Sequence, residues 1–363
     1  MSSIKIAEAR KIILEKIQSQ GTEKVSINEA LGRILSEDII ARRNNPPMDN
    51  SAMDGYALIA KDIELATPET PVKLDIIEDL AAGYSPEMTI QPGQAVRIMT
   101  GAPIPEGADA VIMQEDTERN GNSVQVKDKA EVRENIRDAG EDVREGETVI
   151  RKGADLMPAH IGMMAVVGRS TALVGRRPQV AVLSTGDEVM DLDEPLSGPC
   201  IYNSNGYMLA AQIKSAGGIP SYLGIARDNE KDLMEKFKWA LQCDMVVSSG
   251  GVSVGDYDLV KTSLKKMGQE MLFWKVAMKP GKPLAFGRID DVPIFGLPGN
   301  PVSSFVSFEQ FVRPSIRKMM GATQLNHKCV QAKLTRTVHK KAGRQHFLSS
   351  YVNWEGGECT VSP

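Results

Sequence analysis

The chain has 363 residues, of which 42% are hydrophobic and 25% charged, and its 47 acidic and 43 basic side chains give a net charge of −4. This composition is typical of a folded globular protein, and the length predicts more than one domain. The charge offers no basic surface for nucleic acid and no apolar run is long enough to cross a membrane, so we expect neither partner.

Cysteines and histidines limit the compartment and the metal chemistry. The four cysteines show no CxxC spacing and no pairing pattern, and the N-terminus has no apolar stretch of signal-peptide length, so we expect a cytoplasmic protein. The four histidines are scattered as well, which disfavours a zinc site. Any bound metal should therefore be a hard cation held by carboxylates.

The first 176 residues predict two kinds of structure. The N-terminal SSIKIAEARKIILEKI spaces apolar residues as an amphipathic helix does, and its stripe offers a two-fold contact. Residues 46–145 are rich in glycine and proline and have almost no helical period, which predicts an inserted β-rich domain. Residues 146–176 would then return to residues 1–45 and complete a helical, dimer-forming domain.

The second half of the chain alternates short β-rich runs with helical periods. This alternation over residues 177–326 predicts an α/β domain with a mostly parallel sheet and helices on both faces. The predicted helices begin near Ser204, near Glu230, after Gly255 and near Val302. Residues 327–363 contain short alternating runs that predict a small, partial β domain.

Three polar, glycine-bearing loops follow three apolar strands of the predicted α/β domain. Because ligands bind at the carboxyl ends of the strands in an open parallel sheet, we expect the loops to form one site. Each loop alone could be an ordinary turn, but three together favour a ligand. Glu188 and Asp256 would hold a cation that bridges phosphate oxygens. The other candidate binding residues are Thr185, Gly186, Asp187, Ser249, Gly250, Gly251, Ser253, Gly255, Pro298, Gly299, Asn300 and Pro301.

The last of these loops, LPGNP, also carries the signature of a helix start. Asn300 suits the N-cap and Pro301 the first helical position, so an anion could dock on the helix amides. In the preceding FWKVAMKPGKP, Lys275 and Lys279 share a strand face by parity and Lys282 follows a turn. These lysines suit an oxyanion, although solvated edge-strand lysines are the common alternative.

Three further motifs lie in the inserted domain. MDNSAMDGYAL contains Asp54, MTGAP contains Thr100 and GEDV contains Asp142. By turn chemistry alone, each of these residues could equally be structural.

Taken together, NPPMDNSAMDGYAL, MTGAPIP, GEDV, VAVLSTGDE, NSNGYML, DMVVSSGGVSVGDYD, MKPGKPLAFG and FGLPGNPVSS resemble the molybdopterin molybdenumtransferase family, which includes MoeA and the E domain of gephyrin. The resemblance runs in order from about Lys5 to about Gly321. It implies an α/β domain similar to molybdopterin adenylyltransferase, a helical domain, an inserted β domain and a C-terminal β barrel.

The resemblance implies insertion of molybdate into adenylated molybdopterin with Mg²⁺-dependent release of AMP, the last step of molybdenum cofactor synthesis. It implies that Glu188, Asp228 and Asp256 shape the metal and phosphate site and that Lys275 and Lys279 face the anions. The residues implied to be required for activity, which the partner subunit of a homodimer would contribute, are Asp54, Thr100 and Asp142. It also implies contacts with other cofactor-synthesis proteins, the adenylyltransferase among them.

One departure from the family concerns the C-terminal barrel. Arg344 matches the start of its ligand region, but the serine motif that should follow is not found, so we expect a partial barrel. Two alternatives remain: an adenylyltransferase-like enzyme, which the α/β domain alone resembles, and a non-catalytic dimeric scaffold of the gephyrin E-domain type. The MDGYA and GEDV motifs favour the molybdenumtransferase over the adenylyltransferase.

Overall fold

The computed structural model describes residues 3–251 and 259–363 of the chain. It divides into two compact units. The α/β unit comprises Met1–Glu37, Arg151–Ile161 and Thr171–Pro363, and the β unit comprises Asp38–Ile150 and Gly162–Ser170. The four-domain partition with boundaries near residues 45, 145, 176 and 326 stays a prediction.

The described residues form helices of three types. The α-helices are α1 (Ile6–Lys16), α2 (Pro158–Val166), α3 (Ser204–Ala216), α4 (Glu230–Ala240), α5 (Leu259–Lys266), α6 (Pro301–Ser307) and α7 (Arg313–Met319). A π-helix, Phe308–Val312, joins α6 to α7, and short 3₁₀ turns lie at Ile27–Glu29, Ala60–Ile63 and Gln114–Asp116. The predicted starts of α3, α4 and α6 are confirmed to within one residue.

The strands are mostly short. In chain order they are β1 (Thr22–Ser26), β2 (Ile39–Ile40), β3 (Asn50–Ser51), β4 (Gly55–Leu58), β5 (Val72–Leu80), β6 (Gln94–Ile98), β7 (Ala110–Met113), β8 (Thr117–Asn120), β9 (Ser123–Val126), β10 (Ile136–Arg137), β11 (Thr148–Ile150), β12 (Thr171–Gly175), β13 (Gln179–Thr185), β14 (Val189–Met190), β15 (Ile201–Tyr202), β16 (Ile219–Ala226), β17 (Met245–Ser249), β18 (Glu270–Lys275), β19 (Met278–Lys279), β20 (Pro283–Ile289), β21 (Val292–Leu297), β22 (Lys333–Leu334), β23 (Gln345–His346), β24 (Tyr351–Glu355) and β25 (Glu358–Ser362).

A six-stranded sheet with the order β16-β13-β17-β21-β20-β18 organises the α/β unit. The first four strands are parallel, and β20 and β18 join antiparallel at one end. All five residues of β17 are buried, as expected for a strand covered on both faces. Residues of α1, α3 and α7 pack into one apolar cluster with the sheet, and residues of α4 and α5 into another. Helices on both faces of a mostly parallel sheet were predicted, and the structure confirms them.

The N-terminal helix is confirmed, but its predicted surface role is wrong. Ile6, Ala9, Ile13 and Ile17 are buried, and Ile6, Ile13 and Ile17 lie in the same apolar cluster as Phe308 and Ile316. Most of this stripe therefore packs within its own chain. Ile13 and Ile17 are not free for a two-fold contact.

The β unit contains a second six-stranded sheet, with the order β7-β4-β6-β5-β9-β8. Apart from the parallel pair β5 and β6, its neighbours are antiparallel. Two apolar clusters pack against it, one around Tyr56 and Leu58 and the other around Val96 and Ile98. The pairing of β3 with β10 fixes the loop that follows β3 relative to Arg137.

The prediction that Lys275 and Lys279 share one strand is wrong. β18 ends at Lys275, where the backbone N–H of Val276 turns to donate to the carbonyl of Lys282 at 3.0 Å. Lys279 lies in β19, which pairs in parallel with β23 in a separate two-stranded sheet. Parity along a strand cannot relate two residues on either side of such a break.

The C-terminal residues form a three-stranded sheet with the order β22-β25-β24. All five residues of β24 are exposed. In the described part of the chain, no helix is both long and apolar enough to cross a bilayer.

Candidate functional site

The three glycine-bearing loops meet at one edge of the α/β sheet. They follow β13, β17 and β21, which are adjacent and parallel, so their carboxyl ends point the same way. The N–H of Gly250 donates to the carbonyl of Leu297 at 3.1 Å, and the hydroxyl of Thr185 donates to the carbonyl of Ser249 at 3.4 Å. The loops are thus bonded to one another. Of the predicted site residues, Ser253, Gly255 and Asp256 lie outside the described residues.

Gly250 and Gly251 are needed for this close approach. Both have positive φ, +91° and +63°, which glycine adopts without strain. A Cβ on Gly250 would lie 2.6 Å from the carbonyl oxygen of Thr185, and one on Gly251 would lie 2.9 Å from its hydroxyl. The sequence predicts that these glycines contact a ligand. The structure shows that they allow two loops to approach each other closely.

A pocket of about 70 Å³ opens between the loops and the start of α3. Its lining combines polar side chains with Val189, Ile201 and Tyr202; the polar side chains are those of Ser184, Thr185, Glu188, Asn203, Ser204, Asn205 and Ser249. The hydroxyl of Ser184 donates to Asn203 Oδ1 at 2.7 Å. That oxygen also caps α3 by accepting from the N–H of Gly206 at 3.0 Å. The helix start and the loop after β13 are therefore held together.

Three carboxylates gather beside the loop after β13. Burial raises the pKa of Asp228, and the charges of Asp187 and Glu188 add to that effect. The N–H of Asp228 donates to Asp187 Oδ1 at 3.0 Å. Gly186, at φ +131°, leaves room for the Glu188 side chain, because a Cβ there would lie 2.4 Å from Glu188 Oε2. Crowded carboxylates of this kind favour a hard cation.

The donor chemistry of these carboxylates suits Mg²⁺, although a complete cage is not formed. Across residues 3–251 and 259–363, no three acidic, histidine or cysteine side chains are arranged as a metal site. Mg²⁺ usually keeps several waters and takes one or two carboxylates together with substrate phosphates. The residues present therefore fit a cation that arrives with a phosphate ligand.

The predicted cap of α6 is confirmed. Asn300 Oδ1 accepts from the N–H of Ser303 at 3.2 Å, and Pro301 takes the first helical position. The bond satisfies one amide of the first turn, where four would otherwise lack partners. The pair therefore fixes the direction in which the chain leaves the loop after β21.

Cationic side chains gather where β19 pairs with β23. Burial lowers the pKa of His346, and the neighbouring charges of Lys340, Lys279 and Arg344 lower it further. Lys279 and Lys282 are exposed, and Lys275 is half-buried. A positive surface of this kind suits an oxyanion.

In the β unit, Asp54 and Thr100 form a direct pair. The N–H and the hydroxyl of Thr100 both donate to Asp54 Oδ1, each at 2.7 Å. The backbone bond, followed by the hydroxyl bond, lowers the pKa of Asp54. The carboxylate is therefore held ionised in one orientation.

Asp142 is fixed by different partners in the same unit. Its Oδ2 accepts from the Arg137 guanidinium at 2.8 Å and from the Asn45 amide at 3.3 Å. The N–H of Asp142 also donates to the carbonyl of Asn45 at 3.1 Å. Arg137 lies on β10, paired with Asn50 of β3, so the GEDV turn is anchored to the strand that precedes Asp54.

Comparisons with known proteins now decide the family. Residues 4–168 match the MoeA N-terminal region (domain I and II), and residues 181–318 match the "Probable molybdopterin binding domain" model. The chain is 37% identical to molybdopterin molybdenumtransferase 2 of Mycobacterium tuberculosis, over 97% of this chain and 88% of that protein. It is 38% identical to the molybdopterin molybdenumtransferase of Bacillus subtilis, over 95% and 82%.

The chain belongs to the molybdopterin molybdenumtransferase family. A crystal structure of the moeA protein from Pyrococcus horikoshii OT3 matches it with a TM-score of 0.84 and 33% identity, over 99% of this chain and 90% of that one. The multidomain α/β fold predicted for this molybdenumtransferase is thereby confirmed. The adenylyltransferase and scaffold alternatives are not favoured.

The sequence did not single out two residues that hold the site together. In this family member, the Asn205 amide contacts two of the three loops and the Arg137 guanidinium contacts Asp142. In the motif NSNGYML, only the first asparagine, Asn203, is recognisable from sequence as a helix cap. An asparagine inside the first turn gives no signal until the fold shows what lies opposite.

Proposed function

We propose that this chain inserts molybdate into adenylated molybdopterin and releases AMP, in the last step of molybdenum cofactor synthesis. One observation carries the proposal: three loops of the molybdopterin-binding region converge on a pocket at the carboxyl edge of the sheet, and hydroxyl, amide and carboxylate side chains line part of it. The relatives that match nearly the whole chain are named molybdopterin molybdenumtransferase. The chemistry is mainly positioning and charge neutralisation, and needs no covalent nucleophile.

The proposed binding residues divide into two groups. The pocket loops, with Thr185–Asp187, Ser249–Gly251 and Pro298–Pro301, would hold the nucleotide and phosphate portion through hydroxyls and backbone amides. Lys275, Lys279 and Lys282 would offset the charge of the pterin phosphate and of molybdate. Bringing two dianions together is the main electrostatic cost of the reaction, so cations on both sides of the reacting centre would lower it.

The proposed Mg²⁺ site uses Glu188 and Asp228, with Asp256 as a further ligand from outside the described residues. When bound there, Mg²⁺ would withdraw charge from the phosphate oxygens. The protein contributes the orientation: Gly186 leaves room for Glu188, and Asp187 holds the backbone of Asp228 in place.

Asp54 and Asp142 are proposed to serve the same reaction as preorganised carboxylates of the β unit, with Thr100 as the partner that orients Asp54. Thr100 keeps Asp54 ionised, and Arg137 fixes Asp142. We propose that the enzyme is a homodimer in which these residues complete the partner's site. Mixing Asp54→Ala and Glu188→Ala chains, each inactive alone, should then restore up to about a quarter of wild-type activity, since random pairing forms mixed dimers with one intact site.

One assay tests the proposed reaction. The protein is mixed with adenylated molybdopterin, Mg²⁺ and molybdate, and AMP is measured. AMP release that requires molybdate supports the proposal. Consumption of ATP with molybdopterin would indicate an adenylyltransferase instead, and no turnover in either assay would indicate a scaffold. For the dimer, sedimentation at micromolar concentration that shows only monomer would contradict the shared site.

A further inference from the structure

Asn205 bridges two of the pocket loops with a single amide group. Its Nδ2 donates to the hydroxyl oxygen of Ser249 at 2.7 Å and to the carbonyl of Gly299 at 2.7 Å. Asn205 is buried, with 9% of its surface exposed, and Ser249 is buried with 3% exposed. Both N–H bonds of the amide are therefore directed at the loops after β17 and β21.

The orientation of this amide follows from its partners. A backbone carbonyl can only accept, so the group facing Gly299 must be the nitrogen. The same nitrogen then donates to Ser249, whose oxygen accepts. Within the described part of the chain, Asn205 Oδ1 has no hydrogen-bond partner, although it is buried. Buried polar atoms are rarely left without partners, and this one borders the pocket.

The bond to Ser249 has a chemical consequence for the pocket. Because the Ser249 oxygen accepts from Asn205, its own proton points away from the amide and is available to donate to another group. A buried serine hydroxyl that donates into a pocket suits an anionic oxygen of a ligand, since hydrogen bonds to charged groups are the stronger ones. The amide thus sets the direction of a neighbouring hydroxyl.

We propose that Asn205 is a positioning residue: it holds the Ser249 hydroxyl as a donor to an oxyanion of the bound nucleotide and ties that loop to Gly299. The inference rests on the proposed function, because it takes the ligand of this pocket to be the nucleotide and phosphate portion of the substrate. Asn205 acts through Ser249 and the loop, and it does not itself react.

Asn205→Asp is the discriminating variant. It keeps the side-chain shape and an oxygen at Oδ1, replaces the donating nitrogen with an oxygen and adds one negative charge. The new carboxylate oxygen would repel the Gly299 carbonyl and accept the Ser249 proton, which would turn the hydroxyl away from the ligand. Asn353→Asp on the exposed strand β24 introduces the same charge at a residue that does not line the pocket and serves as the matched control.

The experiment is a double-mutant cycle on AMP affinity, measured by calorimetry with wild type, Asn205→Asp, Ser249→Ala and the double variant. Losing a hydrogen bond to a charged oxygen should weaken AMP binding about 10- to 100-fold in either single variant. If Asn205 acts through Ser249, the double variant should lose clearly less affinity than the sum of the two single losses. Asn353→Asp should bind AMP like wild type.

Additive losses in the double variant would overturn the proposal, because they would show that Asn205 acts independently of Ser249. A wild-type protein that does not bind AMP would overturn it as well. If Asn205→Asp fails to fold by circular dichroism, Asn205→Leu replaces it in the cycle with the same two outcomes. Molybdate-dependent AMP release by wild type is measured separately. If wild type turns over but the losses in the cycle are additive, only the positioning role of Asn205 is refuted. If wild type does not turn over, the proposed function is refuted.

Discussion

Two aspartates of the molecule, Asp54 in the β unit and Asp228 in the α/β unit, have pKa values shifted in opposite directions. Asp54 receives two hydrogen bonds from Thr100, and the first of these, from the backbone, lowers its pKa most. Asp228 is affected mainly by burial and then by the charge of Asp187, and its pKa is raised. Asp54 is paired with donors of its own unit, whereas Asp228 lies beside two other carboxylates.

The difference separates two kinds of preorganisation. In the β unit the protein supplies all the partners, so Asp54 is oriented and charged before any ligand binds. In the α/β unit the carboxylates crowd one another, and each charge raises the cost of the next. A site of that kind is relieved by a bound cation, which is why the proposed Mg²⁺ belongs with Glu188 and Asp228.

The largest effect should come from Glu188→Gln. The change removes one charge at constant shape, so Mg²⁺-dependent AMP release should fall by about 100-fold or more, while the melting temperature stays close to wild type because the side chain is exposed. Steady-state turnover and thermal denaturation check both parts. Glu235→Gln on the exposed face of α4 is the control and should turn over normally. Normal turnover in Glu188→Gln would remove this residue from the site.

A smaller effect is expected from Thr100→Val, which removes the hydroxyl bond to Asp54 and keeps the backbone bond. The pKa of Asp54 should rise toward its ordinary value, so the acidic limb of the pH–rate profile should move to higher pH. Turnover at neutral pH should fall about 10-fold, because the carboxylate loses orientation. Thr100→Ser, which keeps a hydroxyl, should have the turnover and the acidic limb of wild type. An unchanged acidic limb would mean that Asp54 does not limit the rate.

The convergence of the three loops was predictable because the evidence for it was local. Each of the three loops follows an apolar strand, and parallel strands bring their carboxyl ends together. The cap at Asn300 and Pro301 was predictable for the same reason, since capping depends only on residues adjacent in sequence.

Contacts between distant segments leave no local signal in the sequence. The separation of Lys275 from Lys279 follows from the pairing of β19 with β23, which belongs to the C-terminal part of the chain. The stripe of α1 is covered by residues around Phe308 and Ile316, about 300 residues further on. Asn205 is not recognisable from sequence because its partners, Ser249 and Gly299, lie at the end of β17 and in the loop after β21.

Asp228→Asn should separate stability from function. A carboxyl whose pKa is raised by folding destabilises the folded state above that pKa, and the penalty disappears as the pH falls through the raised value toward the ordinary 3.8. The variant should therefore melt about 1 °C higher than wild type at pH 7 without Mg²⁺, a small shift because the group is largely solvated. The gain should vanish near pH 4.

Mg²⁺ titrations of the same pair provide the functional half of this test. Wild type should bind Mg²⁺ more weakly as the pH falls, since the proton competes for Asp228, and Asp228→Asn should bind weakly at every pH. If Asp228→Asn is less stable than wild type at pH 7, Asp228 stabilises the fold. Repulsion among the three carboxylates would then not destabilise the folded state.

The smallest effects are expected from variants that separate the charge of Lys279 from the shape of the loop before α6. Lys279→Ala removes an exposed point charge, so it should weaken binding of adenylated molybdopterin about 5-fold at low salt and reduce the salt dependence of the affinity. Replacing Pro298 and Pro301 by alanine keeps every charge and loosens the loop before α6, so affinity should fall with the salt dependence of the parent. Titrations at two ionic strengths measure both. If the proline variants show the altered salt dependence of Lys279→Ala, the loop serves only to place the lysine, and the separate roles proposed for the loop and for Lys279 are wrong.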